Sequence, residues 1–189
     1  GTSDFTLIRL SPERALASDR KADILASGGV HIGGTDLDRA LSLAAVMPLL
    51  GLGETLANGR MMPSATYFNL ATWHTINRAY TRQTWTQLLD LQRQAANTQG
   101  IDRLMHLVQT RAGHWLAMQV EASKIALTDA AHTTLDLHRI ADNWQVTLQR
   151  DVFEHAIDGL LSRVRTTVSE LFRTAGVKPA DINTLFFTG

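Results

Sequence analysis

Cysteine is absent from the 189 residues. That excludes disulfides, thiolate metal centres and a cysteine nucleophile, and it makes a reducing compartment, the cytoplasm, the default expectation. Net charge is missing as well. The chain's 18 Lys+Arg balance 18 Asp+Glu, so no broad basic footprint for nucleic acid or an anionic membrane is expected, and any anionic ligand has to be held locally. Long apolar runs are lacking. The longest, residues 41–52, is interrupted by Ser42, Pro48 and Gly51, well short of the roughly 20 residues a membrane helix needs.

Several signatures of chemistry are absent too. There is no HExxH and no GxSxG, and the seven histidines are dispersed. His132 and His138 share a strand face six residues apart, which reads as a solvated face rather than a metal site. The four tryptophans, Trp73, Trp85, Trp115 and Trp144, fall at core-like positions and read as packing. The chain starts at Gly1 already in strand-like sequence and stops after the apolar "NTLFFTG". Both ends give the expectation of a piece of a longer protein.

What is present follows a clear order. "DFTLIRL", residues 4–10, reads as a two-sided apolar strand closed by Ser11-Pro12, and residues 20–32 as a second extended segment running into Gly33-Gly34. The period then changes. Thr35 and Asp38 have the spacing of a capping box, and Leu37, Leu41, Ala44, Ala45 and Leu49 recur at helical intervals. Asp38 is therefore read as a cap, with Asp36 an ordinary first-turn residue. Pro63 opens a helical region over 64–78; "TWTQLLDLQRQA" and residues 101–127 are also helical, with Gly100 between them. "HTTLDLHR" and "WQVTLQ" alternate around Asp142-Asn143 and predict a hairpin. A continuous apolar stripe from Val152 to Phe172 predicts a long helix stopped by Gly176, after which "INTLFF" reads as a strand. Strands at both ends with helices and a hairpin between them suggest a helical subdomain inserted into a sheet-based one.

Two groups of residues carry candidate chemistry. Gly33-Gly34 in "HIGGTDLD" is a plain turn, or a place where main chain approaches a ligand at the N-terminus of a helix whose free N–H groups favour phosphate or ribose oxygen. Glu121, Lys124 and Thr128 in "VEASKIALT" fall within a helical stripe about 60° wide. That stripe is a surface ion pair with a helix-end threonine, or a carboxylate and an ammonium sharing a vicinal diol such as a ribose.

Taken in order, "GTSDFTLIRL", "GGVHIGGTDLDRAL", "MPLLGLG", "VEASKIALT" and "NTLFFTG" resemble the nucleotide-binding domain of the seventy-kilodalton heat-shock chaperones, the DnaK type, and most closely its YegD-like branch. The resemblance implies an α/β actin-like ATPase fold, second lobe only: residues 1–32 as the first part of sheet subdomain IIA, 33–149 as subdomain IIB with helices and hairpin, and 150–189 as a crossing helix and strand returning to IIA. It implies Thr2 facing phosphate, Asp4 facing the cation through water, Gly33 and Gly34 approaching the nucleotide, and Glu121 and Lys124 on the ribose hydroxyls. Thr128 and Ile125 would lie at the adenine, and Gly189 would open the adenosine loop. The implied cofactor is ATP or ADP with Mg in a full-length parent, with none tightly bound to this chain. The implied partners are a first lobe of the same chain and a nucleotide-exchange factor or co-chaperone acting on IIB, with no nucleic acid and no membrane.

Three departures from that pattern matter. Ile125 replaces an arginine that stacks on adenine, which removes a cation–π contact and leaves an apolar one. Thr35 replaces an acidic residue, and residues 52–99 resemble only the YegD-like branch. The expected function is a stress-response chaperone-like ATPase in which this part alone hydrolyses nothing, because phosphoryl transfer needs groups from both lobes. Its alternatives are the second lobe of a sugar or acid kinase and an actin-like filament ATPase.

Overall fold

The computed structural model describes residues 1–16 and 18–188. The chain forms two compact units, Gly1–Gly33 with Gly159–Gly189, and Gly34–Asp158. Among the described residues no helix is long and apolar enough to cross a membrane.

In the strand unit, β1 (Ser3–Ile8) and β2 (Ile24–Val30) pair antiparallel, with Ser3 opposite Val30 and a bulge between Leu7 and Ile8. β1 stops short of the predicted end because Arg9 and Leu10 lie past the bulge. The Arg9 amide still donates to the Asp23 carbonyl (2.8 Å). The predicted second segment starts late for a similar reason. Residues 21–23 form a 3-10 turn that buries Asp23, whose carboxylate is gripped by Arg14 and by Arg20 (2.8 Å). Arg14 is presented by the short helix α1 (Pro12–Ala15), which Ser11 caps. The two guanidinium groups hold the Asp23 carboxyl below the ordinary aspartate range. Gly28 of β2 faces Leu171 and Thr167, where the later turns of the long helix cover the strand. "INTLFF" is not a strand. Among the described residues it has no ladder partner, and Leu185, Phe186 and Phe187 stand exposed; an unpaired strand leaves its backbone groups unmatched.

The helical unit begins with α2 (Gly34–Leu41), which widens into a single π turn (Ser42–Val46) and tightens into a 3-10 turn (Met47–Leu50) ended by Gly51 at φ 99°. The predicted helix over 64–78 is broken. α3 (Ala65–Leu70) ends before an extended Thr72, and a 3-10 helix spans Trp73–Tyr80. α4 (Arg82–Gln94) follows, capped by Thr81. The predicted helix over 101–127 is two helices, α5 (Gln99–Gln109) and α6 (Gly113–Asp129), separated at Arg111, which takes φ 53°. Gly100 lies inside α5 rather than between helices, because only a glycine clears the Gly51 backbone; a Cβ there would sit 2.7 Å from Gly51 Cα.

β3 (His132–Asp136) and β4 (Gln145–Gln149) form the antiparallel hairpin, and α7 (Arg150–Ala175) begins immediately after it. The first turns of α7 belong to the helical unit, where Phe153 packs against the core, and its remainder belongs to the strand unit. That core joins Leu41, Leu50, Leu104, Leu107, Leu116 and Leu135, each at most 1 % exposed, and burial of this kind is worth about 1.5–3 kcal/mol per side chain. It holds α2 against α6.

Candidate functional site

α2 and α6 lie side by side, and the spacing of their residues decides which groups meet. Thr35, Asp38 and Ser42 recur at three and four residues along α2 and the turn after it, so they share one face. Val120, Glu121 and Lys124 do the same on α6. The two faces bring Lys124 Nζ to 2.7 Å from Asp38 Oδ1, with side chains 16 % and 20 % exposed. This oxygen is sealed from solvent and has Lys124 as its ion-pair partner. Burial pushes the Asp38 carboxyl up, Lys124 opposes that push, and the nearby Glu121 charge adds to it.

The capping box is therefore not formed. α2 starts at Gly34, and Asp38 lies a full turn inside the helix with its carboxylate turned to Lys124. The i,i+3 pair reading is corrected in the same way, since the ion pair of Lys124 crosses to α2 instead of closing on Glu121. Gly34 stands beside that ammonium: a Cβ built on it would lie 3.6 Å from Lys124 Nζ. Backbone of the second glycine, the ammonium and two carboxylates thus share one neighbourhood.

Ile125 is 60 % exposed and Thr128 is exposed one turn further on. The end of α6 beneath them is fixed by Arg150, whose Nε donates to the Leu127 (2.8 Å) and Ala130 (3.0 Å) carbonyls and whose Nη2 donates to that of Thr128 (3.0 Å). A guanidinium at a helix C-terminus satisfies carbonyls that have no intrahelical partner.

The remaining candidates belong to the strand unit. Thr2 Oγ1 donates to Asp4 Oδ2 (2.9 Å), and Gly1 passes so close to Gly33 that a Cβ on Gly33 would meet Gly1 Cα at 2.7 Å. Asp4 is exposed, and among the described residues no group of three or more His, Asp or Glu is placed to hold a metal. Gly189 lies outside the described residues.

One feature of the helical unit went unread in the sequence, a cavity of about 220 Å³ between α2, α6 and the segment after α3. Thr35, Asp38, Ser42 and Glu121 supply its polar wall, and Trp73 stands at it. Trp73 is 49 % exposed and sets its ring edge-on to His114 at 4.9 Å, so the expectation of a core residue fails there. The other tryptophans are half-buried, and Trp144 carries the Arg103 guanidinium on its face at 3.9 Å. The recurrence of Asp38 and Ser42 at i,i+4 is the one sequence signal that points to the cavity. No protein-family model matches the chain.

Proposed function

We propose that this chain is the second lobe of a DnaK-type, actin-like ATPase, supplying ribose and adenine contacts and part of the phosphate contacts of a nucleotide cleft. The observation that carries the reading is the meeting of Gly34, Lys124 and Glu121 in the helical unit. A vicinal diol both accepts and donates. Glu121 offers an acceptor, and Lys124, its charge balanced by Asp38, keeps N–H groups for the sugar oxygens. The ion pair holds a long side chain in one place, which lowers the entropy cost of ordering it around a ligand. Glycine at position 34 lets main chain come close to the sugar and its α-phosphate.

In this reading Ile125 gives the base an apolar contact and Thr128 a hydroxyl. Thr2 and Asp4 in the strand unit keep the phosphate and cation roles that the resemblance assigns. Asp4 fits an outer-sphere cation contact, being an exposed carboxylate with one oxygen engaged by Thr2. A bound Mg–nucleotide supplies the phosphoryl group, and this chain's residues orient the nucleoside end. Hydrolysis then requires groups from a first lobe of the same longer protein, because phosphoryl transfer needs both lobes. The parent is cytoplasmic in this proposal, and the helical unit with its hairpin is the surface on which an exchange factor would act.

The test is calorimetry of the longer protein with MgADP, wild type against Glu121→Ala. Loss of a hydrogen bond to a charged group predicts affinity lower by roughly tenfold or more. Equal affinity, or a gene that encodes no first lobe, refutes the reading. The 189-residue chain alone is expected to release phosphate from ATP no faster than buffer.

A further inference from the structure

The cavity beside Trp73 runs from Glu121 toward the N-terminus of α6, away from Ile125 and Thr128. It shares Glu121 with the proposed nucleoside contacts and otherwise lies apart from them. Leu70, Leu116 and Val120 line it with apolar surface. At about 220 Å³ it is below the roughly 300–1,000 Å³ of sites for drug-sized ligands, and it suits one or two fused flat rings.

Its polar side is unusual in two respects. Ser42 is only 4 % exposed and lines the cavity, yet among the described residues its hydroxyl has no protein partner. A helical serine ordinarily donates to the carbonyl four residues back, as Ser123 does to Gln119 (2.8 Å). At Ser42 the helix opens into its π turn, a rare feature that recurs at functional sites. Asp38, one turn earlier, is the second. Its carboxylate lines the same wall, and since Oδ1 is sealed against Lys124, Oδ2 is the oxygen left for a ligand. With Glu121 also present, two carboxylates face one ammonium, and the wall has a net negative charge.

We propose that this cavity is a binding site for a flat aromatic ring bearing a forked cationic donor of the amidinium or guanidinium class. The ring lies on Leu70, Leu116 and Val120 beside the Trp73 indole. One amino group of the fork donates to the Asp38 carboxylate and the other to the Ser42 hydroxyl, neighbours at i and i+4 on the cavity wall. The binding event needs no nucleotide, so its outcome is independent of the ATPase reading.

The experiment is a proton–nitrogen NMR titration of the 189-residue chain with benzamidine. Saturable shifts are expected at the Trp73 indole N–H and at the amides of Ser42, Leu116 and Val120. Benzamide, which keeps the shape without the charge, is expected to bind at least tenfold more weakly on the unmodified protein. Asp38→Asn should weaken benzamidine by a similar factor. Ala117→Leu, which fills the cavity, should abolish the shifts, and it carries the test if Asp38→Asn does not fold. Absence of saturable shifts up to the probe's solubility, or equal binding of benzamide and benzamidine, overturns the proposal.

Discussion

Replacing Lys124 by methionine should cost more stability than replacing its partner Asp38 by asparagine, and the structure gives the reason. The charges lie 2.7 Å apart, a gross attraction of about 6 kcal/mol at an effective dielectric of about 20, most of which desolvation offsets. With side chains 16 % and 20 % exposed, the pair falls between surface pairs at about 0.2–1 kcal/mol and fully buried ones, where removing one partner costs about 3–5 kcal/mol. A coupling of about 1.5–2.5 kcal/mol is therefore expected. The singles differ because the survivors differ. Without Asp38, the Lys124 ammonium can swing its flexible stem toward water. Without Lys124, the sealed Asp38 oxygen loses its cation while the nearby Glu121 charge still disfavours its ionised form. We expect about 1 kcal/mol for Asp38→Asn and about 1.5–2.5 kcal/mol for Lys124→Met, with the double variant close to Asp38→Asn. Urea unfolding followed by circular dichroism, with an unchanged m value, reads all four states of the cycle. Acid gives a second check. The folded Asp38 carboxyl already titrates above 3.8, so its contribution to stability falls as pH rises through that value, and the Lys124→Met deficit should shrink as pH drops toward it. Coupling below about 0.5 kcal/mol, or equal single costs, refutes the argument.

Three further outcomes follow from the same geometry. Gly100→Ala should lower stability by about 1–3 kcal/mol in urea, because its Cβ would meet Gly51 Cα at 2.7 Å and Gly51 N at 2.8 Å, backbone atoms that have no rotamer to yield. Carbon-13 NMR of the carboxyl groups should separate two aspartates in opposite directions, the half-buried Asp38 titrating above the ordinary 3.8 and the buried Asp23, held by Arg20 and Arg14, below it. Asp23 therefore adds stability that is lost only as pH falls through its depressed value, the reverse of Asp38. Ile125→Arg should tighten MgADP binding to the longer protein, since a guanidinium over the base adds about 0.5–2 kcal/mol; unchanged affinity in calorimetry would place the base elsewhere.

Periodic segments were legible in the sequence and tertiary exceptions were not. α7 and the β3–β4 hairpin lie where the apolar stripe and the alternation put them, because their patterns run long enough to dominate local noise. Thr35 and Asp38 show how a correct local rule misleads. Their spacing is that of a capping box, but a lysine from a distant helix offers the carboxylate a stronger partner than the helix's own amides. The break between α5 and α6 falls at Arg111 with φ 53°, and arginine carries no turn signal. Its cause is tertiary, since the Tyr80 hydroxyl accepts from the Gly113 amide (2.9 Å) and starts α6 anew. Ser42 is similar: nothing in "ALSLAAV" announces a π turn. For the candidate site, the Glu121 and Lys124 stripe was readable from helical spacing, whereas Asp38, Ser42 and Trp73 required the packing of α2 on α6.

The charge balance of the helical unit says how labour would be divided in the proposed nucleotide cleft. Lys124 is the cation nearest Gly34, and its charge is already matched by Asp38. Glu121 then leaves the neighbourhood negative. A triphosphate brought there gains little from lysine and meets repulsion from both carboxylates, so its charge has to be met by main-chain amides at the start of α2 and by groups that α2 and α6 do not provide. The sugar is in the opposite position. Its hydroxyls can donate to the exposed Glu121 carboxylate, and they accept from an ammonium that the ion pair has already fixed. The groups gathered here are thus suited to recognising and orienting a nucleoside and poorly suited to neutralising a phosphate. That is the physical reason why the proposed reading has this chain set where a nucleotide sits and leaves its chemistry to another lobe.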